Sequence, residues 1–314
     1  MTVDSCSHVH KRDLLESVQD ELFADPAAFS NNKCADLRPG SEQCQFLQEM
    51  NEGCQRTERE FVYENDCDFA TLPSFAVIAV HKAKLHYQDL LPNFDPRMLL
   101  HGEQYVEVFC PLPTNGRFVV KPSLIDIQDK GKAALVITRA SIVDPDTNKV
   151  YAINEVTAFV RRSGGFGRTK PVARIAAATA VNKPPQRSPD AVIEERTSPD
   201  LAALYRLNAD YNPLHIDPAF SSKGGFEVPI LHGLCSFGIS TKHVMQQYGQ
   251  GKPNSIKSIK AQFAMYVFPG ETLRTEMWQE DPNKIIFQTR VLERDVLAIA
   301  KAAAELTTPS TSKL

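Results

Sequence analysis

Apolar positions along the chain form two similar series, each a buried run followed by four stretches of strand-like alternation. In the first series, residues 72–80 (LPSFAVIAV) are apolar on every side, and Pro73 suits a first helical turn. They predict a buried helix, with a strand as the open alternative because valine and isoleucine are abundant. Strands are expected at 103–110, 117–128, 133–143 and 149–161. The turns between them are Asn115-Gly116, Asp129-Lys130-Gly131 and Asp144-Pro145-Asp146. Residues 61–64 ahead of the series suggest a short strand or loop. In the second series Ile230, Leu231, Leu234, Phe237, Ile239 and Val244 predict a buried helix from Pro229 to about Tyr248, stopped by Gly249-Gln250-Gly251. Strands then follow at 256–267, 272–280, 284–293 and 296–306.

The series also share detail. Residues 102–111 (GEQYVEVFCP) echo residues 260–269 (KAQFAMYVFP): each sets a glutamine before an aromatic and closes an apolar run with proline. The resulting organisation is an extension at 1–40, a first unit at 41–162, a linker at 163–191, a second unit at 192–308 and a tail at 309–314. Leu14, Leu15, Val18, Leu22 and Phe23 suggest an amphipathic helix in the extension, and another is expected at 41–52. The linker carries Gly164, Gly165, Gly167, Pro184, Pro185 and Pro189, and its residues 170–183 are expected to cross between the halves. Its SGGFG stretch lacks the Lys-Ser/Thr of a phosphate loop, so it does not predict nucleotide binding.

Composition narrows the class. With 314 residues and 42% hydrophobic content, two full cores are possible. A net charge of −3 gives no pull towards nucleic acid or an anionic membrane, and the longest apolar run, 75–80, is too short to span a bilayer. No apolar signal core stands at the N-terminus. Seven cysteines without a C-x-x-C pair read as reduced thiols of an intracellular protein; Cys34, Cys44 and Cys54 are evenly spaced but nothing beside them completes a metal site. The last residues, Ser312, Lys313 and Leu314, match the peroxisomal address, so a peroxisomal import receptor is an expected partner.

The candidate chemistry lies in residues 205–237. Asp210, Asn212, Pro213 and His215 fall within six residues, and His232-Gly233 follows at the expected helix start. Pro213 excludes Asn212 from a helix interior, so a rigid turn should present carboxylate, carboxamide and imidazole together, a set able to hold a water and move its proton. Gly233 should leave helix N–H groups bare towards an anionic oxygen. A capping turn alone explains Asp-x-Asn-Pro, but it requires neither the histidine nor the His-Gly pair.

The strings YRLNADYNPLH and PILHGLC resemble the signature of MaoC-like (R)-specific enoyl-CoA hydratases, most closely the hydratase 2 units of type 2 peroxisomal multifunctional enzymes. The resemblance extends over residues 61–306; Ala209 departs from it, since the family usually has glycine there. It implies an α+β double hot-dog fold, each unit a long helix wrapped by an antiparallel sheet. It also implies hydration of a trans-2-enoyl-CoA to the (3R)-hydroxyacyl-CoA in peroxisomal β-oxidation, with an acyl-CoA thioester as partner and no cofactor or metal. Asp210 and His215 are expected to activate water, Asn212 to orient it or lock the loop, and the Gly233 N–H to hold the thioester oxygen, with Glu64 bordering the pocket. Tyr205 and His232 are expected beside the substrate, and Lys257, Lys260 and Arg274 against the CoA phosphates. Phe75, Val77 and Leu99 are candidates for an acyl groove in the first half, which lacks the motif. A homodimer or a pseudo-dimeric monomer is expected. A hot-dog thioesterase and a non-catalytic acyl-CoA binding protein are the alternatives.

Overall fold

The computed structural model describes residues 33–36, 59–81, 86–167, 172–208 and 210–307. The helices expected near Leu14 and at 41–52, together with Ala209, Ser312, Lys313 and Leu314, lie outside them.

Ten strands form one sheet: β1 (Lys33–Asp36), β2 (Leu99–Val108), β3 (Arg117–Asp129), β4 (Ala133–Val143), β5 (Val150–Arg161), β6 (Ala191–Arg196), β7 (Ile256–Phe263), β8 (Thr272–Asp281), β9 (Lys284–Val291) and β10 (Val296–Leu306). Outwards from a central β2–β7 seam the order is β5, β4, β3, β1 on one side and β10, β9, β8, β6 on the other. Across the seam Glu103 pairs with Gln262 and Gln104 with Ala261. A two-fold relation that makes Gln104 and Gln262 equivalent carries one of these pairs onto the other, so the sequence echo and the sheet register express the same symmetry.

The helices are α1 (Arg59–Val62), α2 (Phe75–Ala79), α3 (Tyr87–Leu90), α4 (Ala176–Thr179), α5 (Leu201–Asn208), α6 (Pro218–Lys223) and α7 (Gly233–Tyr248). The double hot-dog fold is present, with one difference from expectation: α2, the helix of the first unit, has 5 residues against 16 in α7. The stretch read as a strand or loop near Phe61 is the helical turn α1. β6 is an added edge strand that begins at the end of the expected linker, and β1 lies in what was expected to be an unpatterned extension.

One core cluster joins the halves, with Phe61, Phe75 and Phe118 from the first and Phe237, Ile259 and Phe287 from the second. Each such side chain contributes about 1.5–3 kcal/mol by leaving water. Every residue from Leu234 to Met245 is buried, so α7 has no solvated face before its last turn. Its polar side chains therefore need internal partners. Glu195 of β6 takes Lys242 Nζ at 2.5 Å and His243 Nε2–H at 3.0 Å. With that proton committed, His243 Nδ1 accepts from Thr275, 2.9 Å away. Helix α2 is tethered without charge: Asn154 Nδ2 donates to the Ala76 carbonyl (3.1 Å), and Gln104 donates to Asn154 Oδ1 (2.9 Å).

The segment at 172–183 touches both halves. Arg174 pairs with Glu155 of the first half (2.6 Å), and Lys260 of the second donates to the Ala180 carbonyl (2.8 Å). The glycines after β5 serve the fold: Gly165 and Gly167 donate their N–H groups to the Asp129 carboxylate.

Candidate active site

The turn between α5 and α6 is built by its own side chains. Asp210 Oδ1 accepts the Asn212 N–H (3.1 Å), and Asn212 Oδ1 accepts the Leu214 N–H (3.1 Å), capping a short 3₁₀ turn, Pro213–His215. His215 is carried inwards and buried, and its Nδ1 lies 2.7 Å from the Ile230 carbonyl. A carbonyl only accepts, so the proton is on Nδ1 and Nε2 keeps its lone pair. By the same argument His232 donates from Nε2 to the Asp210 carbonyl, 3.1 Å away. The two imidazoles stack at 3.6 Å, and Tyr205 of α5 tilts over His232 at 4.4 Å.

One carboxylate oxygen of Asp210 and ring nitrogens of His215 and His232 lie within 4.8 Å of one another, a gap one water can bridge. A tetrahedral cation suits the set less well. The stacked rings lie 3.6 Å apart and are inclined by only 26°, so the planes that hold their lone pairs do not meet within a metal–ligand bond length.

Burial governs the charge states. It lowers the His215 pKa and pushes His232 down to about 3, so both are neutral near pH 7. It also holds the Tyr205 hydroxyl well above its ordinary range.

Gly233 is the first residue of α7, where the backbone N–H has no acceptor within the helix. Any side chain there would press on Phe263: a Cβ would sit 3.2 Å from Cδ1 and 3.3 Å from Cε1. Leu231 N–H bonds the Val267 carbonyl at 2.7 Å, pinning the approach to the helix. That strand-end segment is braced in turn by Arg294, which forks onto Glu271 at 2.5 and 2.9 Å and lies over the Tyr266 and Phe268 rings.

The first half also contributes. A bulge at Gly102, between the pairs His101–Ala158 and Glu103–Thr157, re-aims the strand end, and His101 meets Phe263 edge-on at 4.9 Å. Burial depresses the His101 pKa to about 4. His81, just beyond α2, places Nε2 3.2 Å from Asp210 Oδ2.

Of the residues singled out from sequence, Asp210, Asn212, His215, His232, Gly233 and Tyr205 come together. Glu64 is half-buried in the turn after α1. The three expected CoA contacts have local partners: Lys257 pairs with Glu305 (3.6 Å), Lys260 is buried against Ala180 and Glu103, and Arg274 pairs with Glu194 and Glu276 (3.3 Å each). Phe75 and Val77 are core residues, and Leu99 packs on a smaller cluster with Leu91 and Val160. His81, His101 and Phe263 were not anticipated. A signal existed for His101: His101-Gly102 repeats the pair His232-Gly233.

A separate basic cavity of about 420 Å³ is lined by Lys132, Arg161, Arg162 and Lys223, with Met98 and Phe159. Arg161 donates to the Gly224 carbonyl at 3.1 Å, and Gly224 packs beside Leu214, the neighbour of His215.

Comparison with known proteins agrees with this architecture. Residues 47–162 match the family description "MFE-2 hydratase 2 N-terminal domain" and residues 180–302 the "MaoC like domain". The chain is 41% identical over 252 residues to the peroxisomal enoyl-CoA hydratase 2 of Arabidopsis thaliana, covering 77% of this chain and 81% of that one. It is 50% identical over 263 residues to the peroxisomal hydratase-dehydrogenase-epimerase of Neurospora crassa, covering 83% of this chain but only 29% of that protein. The chain therefore spans under a third of that longer relative. The crystal structure of a MaoC-like dehydratase from Phytophthora capsici superposes with a TM-score of 0.76 at 33% identity, covering 88% of this chain and 94% of that one. The chain belongs to the enoyl-CoA hydratase 2 family of MaoC-like proteins.

Proposed function

We propose that the protein adds water reversibly to trans-2-enoyl-CoA thioesters, giving (3R)-hydroxyacyl-CoA, in peroxisomal fatty-acid β-oxidation. The observation that carries this reading is the convergence of Asp210 and the His215 imidazole, whose Nδ1 is committed to the Ile230 carbonyl, beside the helix start at Gly233. A water held between carboxylate and imidazole loses its proton to His215 as its oxygen bonds to C3. The C2–C3 π electrons move towards the thioester carbonyl, whose oxygen gathers charge at the Gly233 N–H; one such donor is typically worth about 10²–10³ in rate. The proton then returns from the same loop to C2, and the carbonyl re-forms. Asn212 acts by capping the turn that aims both groups.

Thioester release would instead need the water aimed at the carbonyl carbon. Donor and base on adjoining segments, with the oxygen pinned at the helix start, favour attack further along the chain. The (3R) configuration and the peroxisomal setting rest on the relatives' family and names. For the coenzyme, the cavity of Lys132, Arg161, Arg162 and Lys223 is the better-placed host, with cations for phosphates and Phe159 and Met98 as an apolar floor.

Incubation with crotonyl-CoA tests the reading. The expected result is loss of enoyl absorbance without free thiol, and (3R)-hydroxybutyryl-CoA on chiral analysis. Thiol release would establish a thioesterase, unchanged substrate a binding protein, and a (3S) product a different facial geometry.

A further inference from the structure

The non-catalytic half sets a fourth imidazole against the catalytic carboxylate. His81 Nε2 lies 3.2 Å from Asp210 Oδ2, and both side chains are largely shielded, with 22% and 17% of their surface exposed. That nitrogen is off the line of a well-formed hydrogen bond, so the contact is electrostatic in kind and gains strength when His81 carries a proton. The titratable groups around it come from several elements: Asp210 and His215 from the motif turn, His232 from the start of α7, His101 from β2 and Tyr205 from α5.

Asp210 and His81 act on His215 in opposite senses. The carboxylate draws a proton onto the imidazole, which would disable it as a base, and a cation at His81 opposes that protonation. The same opposition reaches His101 and His232. A site that places an ionised carboxylate beside a base needs such a counterweight if the base is to stay free as the pH falls.

We propose that His81 is a positioning residue for the hydration reaction, supplied across the seam by the half without the motif: its imidazole, 3.2 Å from Asp210 Oδ2, holds the carboxylate and, when protonated, opposes a second positive charge at His215. This rests on the hydratase reading and adds a residue to it. Nothing local to the motif implies it, since His81 and Asp210 belong to different units of the fold.

The test compares wild type, His81→Gln and His81→Lys in the full chain. Glutamine removes the charge at similar size; lysine restores it. Losing the cation raises the His215 pKa, so the acid limb of the kcat/KM profile should move towards neutrality in His81→Gln by about half a unit to one unit. His81→Lys should return it to the wild-type position or below. Titration of the His215 imidazole by NMR should show the same order without turnover. An acid limb and a His215 titration that coincide in all three proteins would overturn the proposal. A wild type that fails to hydrate crotonyl-CoA would overturn the reaction instead, and the NMR order would still decide the role of His81.

Discussion

The two halves share a sheet plan and differ at one decisive place, the first residue of the central helix. In the second half that residue is Gly233, bare and pressed by Phe263; in the first it is Phe75, whose side chain is buried in the core. The residue before it is His232 in one and Ser74 in the other. Phe75 packs in the core and its N–H is taken by the Leu72 carbonyl at 3.0 Å, whereas Gly233 forgoes side-chain packing and its N–H has no acceptor within its helix. The same scaffold position thus yields either core or, in the proposed reaction, a donor for the thioester oxygen. The first half is still not inert, because His81 and His101 reach into its partner's site.

The largest expected effect comes from breaking the feature found only in the second half. Asp210→Asn should lower kcat by about 10²–10⁴, with His215→Ala similar and the double variant scarcely worse than the poorer single one. Clean multiplication of two small losses in steady-state assays would contradict a shared water.

A second contrast is how the helices are held: α7 by the ionic group of Glu195, Lys242 and His243, α2 by neutral amides. Burial alone would raise the Glu195 pKa, but the His243 hydrogen bond and the Lys242 charge outweigh it and leave it at about 2. A depressed carboxylate contributes stability that is fully present above its unfolded value and is lost as pH falls through about 2. Glu195→Gln should therefore cost on the order of 3 kcal/mol at neutral pH, a deficit that narrows below pH 4. Urea unfolding followed by the fluorescence of Trp278, the single tryptophan, measures it. An equal deficit at pH 3 and pH 7 would refute the ionic account.

Third, Gly233→Ala moves the second helix start one step towards the first. The new methyl displaces Phe263 by a few tenths of an ångström, and kcat should fall about tenfold with little change in unfolding midpoint. An unchanged kcat would remove the Gly233 donor from the mechanism. The smallest effect is at the basic cavity: Lys132→Ala with Arg162→Ala should raise KM for crotonyl-CoA several-fold, less so at high salt, and spare kcat. A wild-type KM at low salt would place the coenzyme elsewhere.

What could be read from the sequence follows from how local each feature is. Asp210, Asn212 and His215 were legible because proline punctuation and side-chain caps act within a few residues. The meanders were legible because alternation is local too, and their strands agree with expectation to within a few residues. His81 was not, since it follows α2 and meets the motif only through the tertiary fold; His101 had a local signal in the repeated His-Gly pair, but its place beside the site depends on the β2–β7 register. Neither were the partners of Lys257, Lys260 and Arg274: a basic side chain announces its charge, but which carboxylate answers it depends on strand pairing. The length of α2 escaped as well, because an apolar run shows burial without showing where the helix stops.

The seam between β2 and β7 has one more consequence, for the chain as a physical thread. Separating the halves would strip each of its central neighbour and leave a full row of ladder donors and acceptors facing water. Because the register there is two-fold, such a strand is complementary both to its lost partner and to a second copy of itself. A protein nicked between β5 and β6 should therefore elute from a sizing column as one particle, while either fragment made alone should appear as a dimer or an aggregate. The glycine- and proline-rich crossing is then less a hinge than a tether, keeping two self-complementary edges at high local concentration so that they find each other first.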